Sequence, residues 1–179
     1  MLLDARDGVL FIVDVQTRLA AAMPDPEATI ARATILLTAA ERLEVPVVVS
    51  EQYPQGLGHT DERVTLPAGA RVFAKTAFSA ARDPAILAHL ESLGRRQVVL
   101  CGMETHVCVL QTALDLAARG FRPAVVADAV ASRLPERRER GLARMAAAGV
   151  SVVDSEMVVF EWLGAAGTPA FKELSRLIR

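Results

Sequence analysis

The apolar positions of this chain change period along its length. Gly8-Val9-Leu10-Phe11-Ile12-Val13-Asp14 is a continuous apolar run closed by an acid. That is the pattern of a strand buried on both faces. After Pro24-Asp25-Pro26, apolar residues return at Ile30, Ala33, Leu37, Ala40 and Leu43, one face of a helix. Further strands are predicted over 45–50, 71–75, 97–101, 123–128 and 150–153. Helices are predicted over 84–93, 106–119 and 135–148, the last Arg-rich and amphipathic, with two short ones over 155–164 and 169–178. Residues 51–70 carry Pro and Gly with little periodicity and read as one long loop. Loops of that length in a compact domain usually carry function.

Short apolar strands alternating with helices specify βαβ units and a parallel sheet covered on both faces. The expectation is an α/β protein with three α/β/α layers, a six-stranded parallel sheet and Rossmann-like topology. A chain of 179 residues fits a single domain, 1–179, and no repeat, low-complexity tract or linker interrupts it. In such sheets ligands bind beyond the carboxyl ends of the strands. The strand ends are therefore the residues to read for chemistry.

Composition narrows the classes. The net charge is −1 and 52% of residues are hydrophobic, which is ordinary for a folded globular chain and lacks the basic footprint of a nucleic-acid binder. No apolar run approaches the roughly 18 residues of a membrane helix. The opening Met1-Leu2-Leu3-Asp4-Ala5-Arg6-Asp7 has no basic segment followed by an apolar one, so no leader is expected. Two cysteines make no disulfide framework. These readings place the protein in the cytoplasm, with a small-molecule partner, and without nucleic acid or membrane. The basic residues divide into 18 Arg and only two Lys, Lys75 and Lys172. A position that keeps Lys in such a chain is a candidate for needing a compact ammonium.

Strand one ends in Asp14, strand three in Lys75, and strand four runs into Gly102-Met103-Glu104-Thr105-His106-Val107-Cys108. An acid, an ammonium and a thiol thus reach one edge of the sheet, a nucleophile with two groups able to tune it. With Thr105 as helix cap, Cys108 falls in a first turn whose dipole and N–H groups favour a thiolate. A neighbouring ammonium would lower the thiol further, and Asp14 could take its proton. Bland readings stand beside these. Cys108 could be a small buried hydrophobe, Asp14 a helix cap and Lys75 a rim lysine. Cys101 ends an apolar strand and reads as inert core. No G-x-G-x-x-G or P-loop pattern is present, and no dinucleotide or nucleotide cofactor is expected. His59, His89 and His106 show no metal-ligand spacing. A Cys–His dyad through His106 is disfavoured, because residues two apart on a helix do not face each other.

At these residues the sequence resembles the isochorismatase-like cysteine hydrolases. The resemblance rests on Phe11-Ile12-Val13-Asp14-Val15-Gln16, Phe73-Ala74-Lys75-Thr76-Ala77-Phe78-Ser79-Ala80 and Cys101 through Val109, with Val126-Ala127-Asp128-Ala129-Val130-Ala131-Ser132-Arg133 in support. It implies a catalytic triad of Asp14, Lys75 and Cys108. It also implies a cis peptide at Met103–Glu104 and an oxyanion hole from the Glu104 and Cys108 N–H groups. Nicotinamidase-like members carry Asp-x-His-Pro after strand two, which holds a metal. Here the stretch is Glu51-Gln52-Tyr53-Pro54, with Tyr53 in the His position, so no metal is expected. The stretch resembles the metal-free, uncharacterised isochorismatase-domain branch instead.

The resemblance implies hydrolysis of a small amide or related C–N bond through a thioester. Gln16, Leu19, Tyr53, Phe78 and Thr105 are the candidate pocket walls, each equally readable as packing. Isochorismatase-type vinyl-ether hydrolysis, a non-catalytic interaction module and a redox-sensing thiol are the alternatives. The family further implies a homo-oligomer, with the Tyr53 loop and the helices around Trp162 as interface candidates.

Overall fold

The computed structural model describes residues 1–178. Its strands are β1 (Gly8–Val13), β2 (Val47–Gln52), β3 (Arg71–Lys75), β4 (Gln97–Met103), β5 (Arg122–Ala131) and β6 (Ser151–Val153). The helices are α1 (Thr17–Ala20), α2 (Pro26–Arg42), α3 (Pro54–Leu57) and α4 (Pro84–Ser92). They continue with α5 (Leu110–Ala118), α6 (Pro135–Ala147), α7 (Ser155–Leu163) and α8 (Pro169–Leu174). All six strands are parallel, in the order β3-β2-β1-β4-β5-β6. The α/β architecture with its six-stranded parallel sheet is the one the apolar pattern predicts.

Alternation along β1 divides the core. Leu10 and Ile12 join Leu36 and Leu37 of α2 and Trp162 of α7 on one face. Val9, Phe11 and Val13 join Leu90 of α4, Leu116 of α5 and Met145 of α6 on the other. Helix starts follow local chemistry. The Asp25 carboxylate accepts from Ala28 N at 2.9 Å with Pro26 in the first turn, and Asp154 accepts from Met157 N at 2.7 Å. Each satisfies an N–H that the first turn leaves orphaned. Trp162 is buried in the core, not presented on the surface.

The chain moves outward from β1 to β3, then returns to β4 on the other side of β1. The β1–β4 boundary is thus the point where strand order reverses, the place such folds keep for ligands. Here Gly102 is the register partner of Val13. A Cβ on Gly102 would lie 2.0 Å from the Val13 carbonyl oxygen, and Gly102 has φ +125°. Only glycine fits that backbone.

Several boundaries differ from the sequence reading. β4 runs on to Met103, and β5 reaches Ala131 with a register shift against β4 between Leu100 and Gly102. β1 stops at Val13, and Asp14 sits beyond it with φ 52°, in the left-handed region. The helix predicted over 106–119 divides into a π-turn, Thr105–Val109, followed by α5. The 51–70 loop contains α3.

Candidate active site

The structure brings Asp14, Lys75 and Cys108 together at the carboxyl edge of the sheet. Asp14 follows β1, Lys75 ends β3 and Cys108 lies in the turn after β4. Lys75 Nζ donates to Asp14 Oδ2 at 2.7 Å, and both side chains are fully shielded from solvent. The other Asp14 oxygen accepts from Ser50 Oγ at 2.7 Å. Burial pushes the Asp14 carboxyl above its usual range, while the Lys75 charge and the hydrogen bonds from Lys75 and Ser50 favour its charged form and oppose that push.

The Lys75 ammonium is saturated. Besides Asp14 it reaches Gln52 Oε1 at 2.7 Å and the carbonyls of Ala77 and Phe78, each at 3.2 Å. Four acceptors share three protons, so none is left for a substrate. What Lys75 can supply is fixed positive charge. Ser50 and Gln52 were missed by the sequence reading. Their roles depend on partners 36 and 23 residues away, which periodicity does not report.

Cys108 lies on the π-turn with only 5% of its surface exposed. Burial pushes its thiol up to about 12, and the Asp14 charge adds to that, against an opposing pull from Lys75. The expectation of a thiol held low is therefore corrected. The ammonium sits on Asp14 and does not overcome the loss of water. The resting arrangement is a neutral thiol beside a buried ion pair. Cys101 is fully buried, and burial pushes its thiol far up, as suits an inert core residue.

Five polar contacts seat the turn. The Glu104 carbonyl accepts from Val107 N and Val109 N at 3.0 and 3.2 Å. The Glu104 carboxylate accepts from the Arg133 backbone N–H and from its Nε, both at 3.0 Å. His106 Nδ1 lies 2.9 Å from Ser132 Oγ, so its ring is engaged away from the thiol's Asp14 partner. The Met103–Glu104 peptide is cis. Thr105 does not cap the helix as expected. Glu104 holds the cap position, and Thr105 Oγ1 is buried without a hydrogen-bond partner.

The remaining candidate pocket residues are scattered in role. Gln16 is fully buried, and its amide is taken up by backbone groups of Gln52 and Gly58. Leu19 packs against the core. Tyr53 and Phe78 are each 56% exposed, and Tyr53 lines a cavity of about 250 Å³ with Lys75 and Thr76. A larger groove of about 810 Å³ lies between the end of α2 and α8, at the opposite edge of the sheet from Cys108.

Glu51 stands where a metal-binding acid would, but its oxygens are engaged. Oε1 accepts from Thr60 N and Oγ1 at 2.7 and 2.8 Å, and Oε2 faces His59 Nδ1 at 2.9 Å. Burial opposes ionisation of Glu51, but these bonds together hold its carboxyl below the usual range. Among the described residues no group of three or more His, Cys, Asp or Glu converges as metal ligands. With Tyr53 in place of the His, the donor set does not fit a metal held by the Asp-x-His pattern.

Comparison with known proteins follows the same lines. The family model described as Isochorismatase domain matches residues 8–157. Isochorismatase domain-containing protein 1 of Salmo salar is 43% identical over 171 residues, covering 96% of this chain but 60% of that protein. The chain thus spans about three fifths of that relative's length. Isochorismatase domain-containing protein 2 of Homo sapiens is 40% identical over 173 residues, covering 96% of this chain and 83% of that protein. Among solved structures, that of the MAR1 ribonuclease from Caenorhabditis elegans superposes with a TM-score of 0.93 at 36% identity. It covers 99% of this chain and 92% of that one.

Proposed function

The chain belongs to the isochorismatase-domain family, and from that premise we propose that it is a cysteine hydrolase cleaving a small-molecule amide or related C–N bond. The observation that carries the reading is the buried Lys75–Asp14 ion pair at 2.7 Å, with the buried Cys108 thiol near enough to feel both charges. A neutral thiol needs a base at the moment of attack. Asp14 is that base, and burial raises its proton affinity toward what the step needs. The thiol proton passes to Asp14 as the sulfur bonds to the substrate carbonyl carbon. The oxyanion is held by the Glu104 and Cys108 N–H groups. Asp14 then gives its proton to the departing nitrogen, the C–N bond breaks, and a thioester remains on Cys108. Water, losing a proton to Asp14, attacks the thioester. The acid is released and the thiol regains its proton. Lys75 offsets the Asp14 charge, which would otherwise oppose thiolate formation.

The nearly covered thiol supports a compact substrate. The test is a screen of small primary and secondary amides with ammonia or amine detection. RNA is included because the Caenorhabditis elegans relative is named a ribonuclease. Turnover of an amide that is lost in Cys108→Ala supports the reading. Cleavage that survives Cys108→Ala contradicts it.

One observation favours a second reading. A carboxyl raised by burial can also donate a proton, which is what vinyl-ether hydrolysis requires of Asp14. Isochorismate turnover that persists in Cys108→Ala and disappears in Asp14→Asn would select it.

A further inference from the structure

The reaction scheme gives Gln52 no task, yet its side chain is wholly engaged with the ion pair. Its Oε1 accepts from Lys75 Nζ at 2.7 Å, and its Nε2 donates to the Thr76 carbonyl at 2.7 Å. The amide orientation is unambiguous, because an ammonium can only donate and a carbonyl can only accept. The backbone of Gln52 is fixed in turn by Gln16. Gln52 N donates to Gln16 Oε1 at 2.7 Å, and Gln16 Nε2 donates to the Gln52 carbonyl at 3.0 Å. Gln52 and Lys75 are register partners across β2 and β3, so the amide and the ammonium start side by side.

Lysine carries its charge on a flexible four-carbon stem. Two short contacts, to Asp14 and Gln52, hold Nζ from two directions, and the two carbonyl contacts are longer. We infer that Gln52 is a positioning residue, which holds the Lys75 ammonium against Asp14 and so sets the charge that Cys108 experiences. The inference rests on the triad reading above. Its competitor is a plain structural brace, in which Gln52 only ties the end of β2 to Thr76.

The two-lysine composition makes a direct test available. Lysine labelled with ¹³C at Cε gives two signals, Lys75 and Lys172, and Lys172 lies on α8, away from the site. In Gln52→Leu the Lys75 signal should shift while that of Lys172 stays. An unmoved Lys75 signal overturns the inference whatever Cys108 does. The second arm is the rate of Cys108 alkylation by iodoacetamide, read by peptide mass spectrometry. Gln52→Leu should slow it about tenfold, the effect of one unit in the thiol's acidity. In a Lys75→Met background the same substitution should change the rate by less than about twofold, since a residue acting through Lys75 has nothing left to act on. Equal slowing in both backgrounds makes Gln52 a brace and overturns the inference. Should Lys75→Met not fold, the labelled-lysine spectra decide alone. A wild-type Cys108 that iodoacetamide never modifies, beside a shifted Lys75 signal, would sink the hydrolase reading and leave the positioning contact standing.

Discussion

Gly141→Ala isolates how α6 seats the nucleophile turn. Gly141 lies in the interior of α6, where glycine costs a helix about 1 kcal/mol relative to alanine. A Cβ there would meet the His106 backbone at 3.1 Å from Cα and 3.2 Å from N. The obstruction is main chain of the Thr105–Val109 turn, which is fixed at Glu104 and at the His106 ring and gives way poorly. Overpacking of this kind costs about 1–3 kcal/mol, so after the helical gain the net loss is about 0–2 kcal/mol. At roughly 2–4 °C per kcal/mol for a chain this size, Tm falls by no more than about 8 °C. The strain falls two residues from Cys108. The contact calls for a shift of a few tenths of an ångström in the turn, where a full 1 Å at a reacting group can cost about 100-fold in rate. The expected signature is a modest fall in Tm with a several-fold fall in kcat, or in Cys108 alkylation while no substrate is in hand. A Tm that rises by 2–4 °C, the helix-propensity gain alone, with unchanged Cys108 reactivity would refute the described seating of α6.

Other substitutions probe neighbouring claims. Lys75→Met leaves Asp14 without its buried partner and should cost about 3–5 kcal/mol in chemical denaturation; a loss below about 1 kcal/mol would mean the pair is not buried as described. Iodoacetamide should modify Cys108 at a rate that keeps climbing to pH 10 and beyond, because burial and Asp14 push the thiol up to about 12, while Cys101 stays unmodified; a plateau below pH 8 would contradict this. Glu51 has a lowered native carboxyl, so its ionised form stabilises the fold above the ordinary carboxylate range, and that stability is lost as pH falls through the lowered value. Glu51→Gln should flatten that part of the acid-side stability curve, and an unchanged acid limb would remove Glu51 from the account. Gly102→Ala should prevent close pairing of β1 with β4 and give little folded protein; a well-folded variant would show that the 2.0 Å approach relaxes easily.

The sheet was legible because its inner strands β1 and β4 are apolar and buried on both faces and lead into chemistry. Asp14 and Lys75 are charged residues closing apolar runs, and a parallel sheet brings such ends to one edge. The scarcity of lysine drew attention to Lys75 for a sound reason, since its ammonium is saturated by fixed acceptors. What stayed hidden depends on long-range register. Nothing near Gln52 in sequence announces that its amide faces Lys75, and nothing near Gln16 announces that its amide is occupied by the 52–58 segment. The π-turn was also invisible, because Thr105 before a helical pattern has the same signature as an ordinary cap. The acidity of the thiol is set by opposing influences. Sequence displays the nearby ammonium and helix start, but not the depth of burial that outweighs them.

The central claim is that Cys108 carries the acyl group during turnover. The most direct measurement is rapid acid quenching of the enzyme with an amide found in the screen, followed by intact-mass and peptide analysis. The account predicts an acyl adduct confined to the Cys108 peptide, released amine in matching amount, and neither in Cys108→Ala. Turnover with Cys108 bare throughout, or an undiminished reaction in Cys108→Ala, would contradict it.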